Sequence, residues 1–433
     1  MHNLFRWKVH KYRRKVYMKK VCMLLKRSRS MLEKDSRVLR ESKALADAGY
    51  EVVILIYDTE DKEDFVIDGV IVKTVKIAGL KLLLKYNSFS DNITGKYQLS
   101  FIQKAFRKIY FFYLNRVYLN NTLKKALSLK YDIYHCHDFE TLEIGYRVKK
   151  ILPIKIAYDA HELWLENRNY LSTNFILSLL RKCLKQVNIL KERIWIKDVD
   201  LVITVNQSLA QYLSDFYNIK KPVILRNLPD QIKITNNGNK FRQELNIHEN
   251  TNIVLYQGAL LSGRGIENLI KAFENINNNT ILVFMGYGAL YDYVKNISQL
   301  IEFNDKIFLK DAVSPSDLLG YTCGADLGVS LIENTCKSYY YSSPNKVWEY
   351  IAAGVPILVS DFPEMRQSAI DEQMGYTVDP ASPEDISKKI NSIFDKKNYS
   401  DYLMRKNNCI EKTISQYNWE KEKEILISAY QSM

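Results

Sequence analysis

With 433 residues and 47% hydrophobic content, the chain can build two or three globular domains with sizeable cores. Its formal net charge of +13 calls for a polyanionic partner. Nucleic acid is excluded as that partner, because no helix-turn-helix, zinc-finger or RNP signature is present. Six cysteines are scattered without a CxxC pair, which fits a reducing cytosol and excludes a disulfide framework or zinc ribbon, and no apolar run approaches the roughly 18 residues of a membrane span.

The chain opens on "MHNLFRWKVHKYRRKVY", which is basic and aromatic but lacks the apolar run and small-residue cleavage site of a secretory signal. Residues 1–18 are read as a basic tail, either a membrane-binding extension or the result of a start assigned too early. "KKVCMLL" (19–25) reads as a strand, "SRVLRESKALADAGY" (36–50) as a helix closed by Gly49, and "EVVILIY" (51–57) as the next strand. That spacing predicts a parallel sheet. Further strands are expected at "GVIVKTVKI", "YDIYHCH", "IKIAYDA", "DLVITVN" and "PVILRNLPD", so residues 19–230 form one doubly wound domain. Within it, the stretches 101–127 and 175–197 mix Lys and Arg with aromatic and aliphatic residues at helical spacing. Such helices suit an anionic membrane surface, or are core-packing helices with solvated lysines.

Residues 231–251 are polar and Asn-rich and read as a linker opening a second domain over 231–412. Its strands are expected at "NIVLYQGAL", "TILVFMGYG", "KIFLKDA", "ADLGVSLIE" and "PILVSD", alternating with helices. Residues 413–433 close the chain as an amphipathic helix. Two tandem Rossmann-like α/β domains facing across a cleft place ligands at the carboxyl ends of the strands.

The most informative stretch is "SSPNKVWEYIAAGVPILVSD" (342–361). Ser342 or Ser343 can cap a helix with Pro344 at its first position, and Gly354 can end it. Lys346 and Glu349 share one face of the first turn. A helix N-terminus already favours anions, and Lys346 adds a cation for phosphate. Glu349 would repel phosphate but can accept hydrogen bonds from two ribose hydroxyls. A nucleoside diphosphate wants both. The plain alternative is a surface ion pair worth about 0.2–0.5 kcal/mol. Three other strand ends carry chemistry. In "YQGALLSGRGIENL", Gly258 and Gly263 let backbone approach a pyrophosphate that Arg264 can grip with two hydrogen bonds. "FMGYGAL" brings Gly286 and Gly288, and "YDAHELW" ends a strand at His161 and Glu162.

In their order and spacing, "DSRVLRESKALADAGYEVVIL", "YDIYHCHDFETL", "YDAHE", "DLVITVN", "YQGALLSGRGIENLI", "SPNKVWEYIAAGVPILVSD" and "YNWEKE" resemble the family-4 (group 1) retaining glycosyltransferases of the GT-B class. The resemblance runs from about Lys19 to the C-terminus. It implies a donor-binding C-terminal domain, an acceptor-binding N-terminal domain and metal-independent transfer with retention, using a UDP- or GDP-linked sugar as co-substrate rather than a cofactor. It implies that Arg264 and Lys346 stabilise the departing diphosphate, that Glu349 holds the ribose and that His161 lies near the sugar. Backbone at Asp311, Ala312 and Val313 would meet the nucleobase, with Asn345 at the helix start also lining the donor site. The resemblance also implies that the closing helix over 413–433 crosses back onto the N-terminal domain. Two positions depart from the family pattern. Tyr341 stands eight residues before Glu349, where a glutamate is usual, and Glu333 is the candidate to take its place. Ala259 stands where an arginine often follows the first glycine. The pathway implied is a bacterial surface polysaccharide or glycolipid, with the enzyme cytoplasmic and peripheral at the inner membrane face.

Two other functions fit some of the residues. "HCHD" (135–138) with "DAHE" (159–162) could be a metal site: His135 and His137 project on one face of a strand, and with Asp138 and the nearby carboxylates they could ligate zinc for a metal-dependent hydrolase. The fold could also bind a sugar nucleotide without turnover, as the partner of another transferase.

Overall fold

The computed structural model describes residues 18–60, 62–79, 101–166, 175–230, 240–277 and 279–433. The basic tail over 1–17 and the start of the expected linker, 231–239, lie outside the described residues. The chain divides into two compact units, one of residues 1–135 with 147–155, the other of 136–146 with 156–433.

The first unit holds β1 (Lys20–Leu24), β2 (Glu51–Asp58), β3 (Phe65–Ile67) and β4 (Val70–Lys76). They lie in the order β3-β4-β2-β1. β1 and β4 both pair parallel with β2, while β3 and β4 form an antiparallel hairpin that the sequence reading omitted. β1 is an unbroken apolar run because both faces of a parallel strand are covered, and Val21, Cys22, Met23 and Leu24 are fully buried. The Ser36–Asp47 helix starts at Asp35, whose carboxylate accepts from the Val38 N–H, and closes before Gly49 at φ 92°. β5 (Ile133–His137) straddles the division.

The second unit contains β6 (Lys155–Ala160), β7 (Leu201–Thr204) and β8 (Val223–Ile224), paired in parallel, apart from Lys155 at the division. Its other sheet has β9 (Asn252–Ala259), β10 (Thr280–Tyr287), β11 (Ile307–Lys310), β12 (Leu327–Ser330), β13 (Ile357–Ser360) and β14 (Gly375–Val378). The order is β11-β10-β9-β12-β13-β14, and every neighbouring pair runs parallel, as in a doubly wound fold. Alternation sorts its side chains into two cores. Ile253, Leu255, Ile281, Val283, Ile357 and Val359 enter one. Val254, Tyr256, Leu282, Phe284 and Leu358 enter the other. The expectation of two Rossmann-like parallel-sheet cores is met. β14 was not foreseen, because four residues beginning with glycine carry little strand signal. A Cβ on Gly375 would sit 2.1 Å from the Ile357 carbonyl oxygen, so only glycine permits this pairing.

The closing Trp419–Ser432 helix is capped by Asn418, which accepts from the Lys421 N–H. The Trp419 N–H donates to the Pro229 carbonyl at 3.0 Å. The buried Glu422 carboxylate accepts from the Arg226 backbone at 2.7 Å and from its guanidinium at 3.2 Å. The helix is thereby fixed to the segment that follows β8.

Candidate active site

The residues predicted to bind a donor converge on one edge of the six-stranded sheet, where strands end and helices begin. β9 and β10 run in register, so Gly258 and Gly286 are neighbours. A Cβ on Gly286 would fall 1.9 Å from the Gly258 carbonyl oxygen, and one on Gly288 2.3 Å from that of Leu260. Gly258 adopts φ 106°, a left-handed conformation that glycine enters at little cost. The turn continues through Gly263 to Gly265, which caps the Ile266–Ala272 helix.

Opposite this turn stands the Asn345–Ala352 helix. The serine cap expected here is not used. Pro344 occupies the cap position, the Ser343 hydroxyl accepts from the Trp348 indole at 2.9 Å, and Ser342 donates to the Tyr339 carbonyl. Burial of Trp348 requires a partner for its N–H, and Ser343 serves that need instead. The first turn therefore has no side-chain cap, and the Val347 N–H donates to the Pro344 carbonyl at 3.0 Å.

Two buried side chains tie this helix to β9. The Tyr350 hydroxyl receives the Gln257 N–H at 2.8 Å and donates to the Leu255 carbonyl at 3.0 Å. Gly328 on β12 makes this possible, because a Cβ there would press within 2.2 Å of the Tyr350 ring. The Gln257 amide donates to Glu349 at 2.5 Å and its oxygen accepts from the Thr322 hydroxyl at 2.8 Å. Glu349 is thus held in one orientation, half-buried at the mouth of the turn.

Lys346 reaches the same turn. Its ammonium lies 3.6 Å from the centroid of the buried Tyr256 ring, and a Cβ on Gly258 would be 3.7 Å from it. Burial is the main force on its pKa, which falls to about 7. The Arg264 charge pushes the same way, and Glu349 opposes both. A second cation at this spot raises the energy of the first, which is the electrostatic signature of a place built for an anion. The Arg264 guanidinium is stacked 4.7 Å from the Tyr339 ring centroid. The Glu333 N–H donates to the Gly263 carbonyl at 3.1 Å, which seats the half-buried Glu333 beside the glycine turn. Asp311, Ala312 and Val313 follow β11, with Asp311 accepting from the Tyr291 hydroxyl. Asn345 is exposed at the helix start.

A second polar cluster lies past β6. His161 Nε2 is 2.8 Å from Asp159 Oδ2 and 3.2 Å from His137 Nδ1. His161 Nδ1 is 3.7 Å from Asp138, a residue in the left-handed region at φ 61°. The Asp138 N–H donates to the Asp159 carbonyl at 2.9 Å, and this clamps the two strand ends. His161 keeps partial exposure while Asp159 is fully buried, so one edge of the imidazole faces outward on a fixed carboxylate. His135 is fully buried on β5, with its Nε2 3.9 Å from Glu41, which also pairs with Arg37 at 2.9 Å.

Sequence reasoning missed Gln257, Tyr256 and Tyr350, and it took Asp159 only as one of the carboxylates of "DAHE" rather than as the partner of His161. One signal was available for Gln257: a single amide interrupts the apolar run "NIVLY" immediately before the glycine of the turn.

The comparisons with known proteins bear on the family and the fold. The model of "Glycosyl transferases group 1" matches residues 237–412, and that of "Glycosyltransferase Family 4" matches residues 36–227. An uncharacterized glycosyltransferase of Methanocaldococcus jannaschii is 22% identical over 343 residues, 72% of this chain and 80% of that protein. The chitobiosyldiphosphodolichol beta-mannosyltransferase of Candida albicans is 26% identical over 286 residues, 61% of this chain and 60% of that enzyme. The fold matches Anabaena Alr3699/HepE in complex with UDP and glucose, at a TM-score of 0.67 and 13% identity, across 96% of this chain and 100% of that one. The chain belongs to the group 1, family-4 glycosyltransferases and carries their GT-B fold.

Proposed function

We propose that the protein transfers a sugar from a UDP- or GDP-sugar to a glycan or lipid-linked acceptor, with retention of anomeric configuration and without a bound metal. One observation carries this reading: the Lys346 ammonium is held against Tyr256 beside Gly258, within the field of Arg264 and next to a carboxylate oriented by Gln257. Lys346 and Arg264 neutralise the departing diphosphate as its charge develops, the role a divalent ion plays in other nucleotide enzymes. Glu349 takes the ribose hydroxyls. Asp159 holds His161 toward the sugar, where the imidazole supports an oxocarbenium-like transition state. Glu333, next to the turn, supplies the second carboxylate.

One relative supports the lipid-linked acceptor class and the other the nucleotide donor. The Candida enzyme's name records a diphosphodolichol substrate, and the Anabaena protein was solved with UDP and glucose. We place this chain on the cytoplasmic side of a membrane, in assembly of a surface polysaccharide or glycolipid. The test is a panel of UDP- and GDP-sugars offered in EDTA, with diphosphate release measured and the product anomer read by NMR. Release from one donor with retention supports the reading. Activity that appears only on adding zinc would move the chemistry to His135, His137 and Asp138, and stabilisation by a donor without turnover would make the protein a binding partner.

A further inference from the structure

The Phe175–Trp195 helix is built inside out on its solvent side. Its inward face is fixed by polar anchors: Lys185 pairs with Glu166 at 2.7 Å, and the buried Glu192 accepts from the Tyr158 and Tyr217 hydroxyls at 2.8 and 2.5 Å. Trp195 is buried at its end, 5.6 Å from the Phe139 ring. The outward face should then be polar. Instead Leu179, Leu180, Leu184, Val187, Leu190 and Ile194 are all about half exposed or more, between 48% and 62%. At 100° per residue they cover an arc of about 140°, opposite the anchors. Six such side chains expose on the order of several hundred Å², the size of patch that marks an interaction site.

What borders this stripe decides its occupant. Exposed Lys182 and Arg193 lie along one side, and exposed Lys191 falls within the stripe near its far edge. The helix has five cations, and its one acid, Glu192, is buried and committed. A second copy would set cations against cations with no acidic complement. A bilayer surface supplies both halves: acyl boundary for the stripe and anionic headgroups for the flanks. The Phe101–Leu129 helix of the other unit independently shows exposed Ile109, Phe111, Phe112 and Tyr113. Among the described residues no helix is long and apolar enough to cross a membrane, so such contact would be peripheral.

We infer that the outward face of the Phe175–Trp195 helix is a docking surface for an anionic lipid bilayer. This deepens the lipid-linked half of the proposed acceptor class and rests on that reading, whereas the donor site lies on other elements. The test is flotation of the full chain with phosphatidylcholine vesicles, with and without phosphatidylglycerol. Wild type should float with the anionic vesicles, more weakly without phosphatidylglycerol and in high salt. The Leu184→Glu/Val187→Glu variant should lose flotation at least tenfold, and the milder Lys182→Glu/Arg193→Glu variant should lose it mainly in low salt. Nucleotide-induced thermal stabilisation, measured alongside, should stay intact in both variants and reports folding and the donor site separately. Absence of wild-type flotation with anionic vesicles would overturn the inference. So would a dimer that dissociates in the Leu184→Glu/Val187→Glu variant without any vesicle binding.

Discussion

A lysine whose pKa falls to about 7 is half charged in the free protein at neutral pH. Its ammonium is held at a cost that a bound diphosphate would remove, so binding takes up a proton. The sign follows from linkage. Nucleotide affinity should be flat below about pH 7 and weaken above it, by up to about tenfold per unit until the bound-state pKa is reached. The same depression acts on stability. Since the unfolded lysine keeps its usual pKa near 10.5, the free protein gains stability as pH rises from about 7 toward that value. Lys346→Met should therefore raise the melting temperature of the ligand-free protein at pH 6 and abolish its stabilisation by UDP or GDP, a trade expected at a functional site. Glu349→Ala should raise the KM for donor by about 10- to 100-fold with a smaller fall in kcat, because ribose contacts act in ground and transition states alike. His161→Ala should lower kcat by about a hundredfold or more while leaving the donor dissociation constant unchanged. Lys346, Glu349, Arg264 and the glycines were legible because their residue types and spacing carry the chemistry locally. Gln257 and Tyr256 were not, because each acts through a partner distant in sequence: Gln257 meets Glu349 across 92 positions, and Tyr256 lies beneath Lys346.

At the scale of elements, the donor edge depends on close backbone approach. Gly265 sits at φ 72°, and a Cβ there would meet the Leu331 carbonyl oxygen at 2.1 Å. Gly265→Ala should cost more than the about 1–2 kcal/mol of left-handed strain, since the clash adds to it. A urea melt monitored by tryptophan fluorescence checks this. Most strands and helices followed from hydrophobic runs and glycine punctuation. β3 and β14 escaped because each is short, and a three- or four-residue strand is specified by its neighbour's register more than by its own composition. The Ser342 and Ser343 caps were misread for a related reason: the sequence shows a suitable hydroxyl but not the buried Trp348 indole that competes for it.

At the scale of the whole molecule, two alternating α/β cores were readable, because short unbroken apolar runs separated by helices leave few other topologies. The closing helix returns to Arg226 and Pro229 through Glu422 and Trp419. Glu422→Ala should destabilise the protein by about 1–3 kcal/mol through the donors it leaves unpaired, with Glu422→Gln recovering part of the loss in the same thermal melts. The central claim is that Lys346 and its neighbours form a diphosphate site that works without metal. The most direct measurement is calorimetric titration of UDP and GDP in EDTA, from pH 6 to 9, into wild type and Lys346→Met. The account predicts binding of one nucleotide by wild type, proton uptake that rises as pH passes through about 7 together with affinity that weakens above it, and no binding by the variant. Binding that is unchanged in the variant, or that requires a divalent ion at every pH, would contradict it.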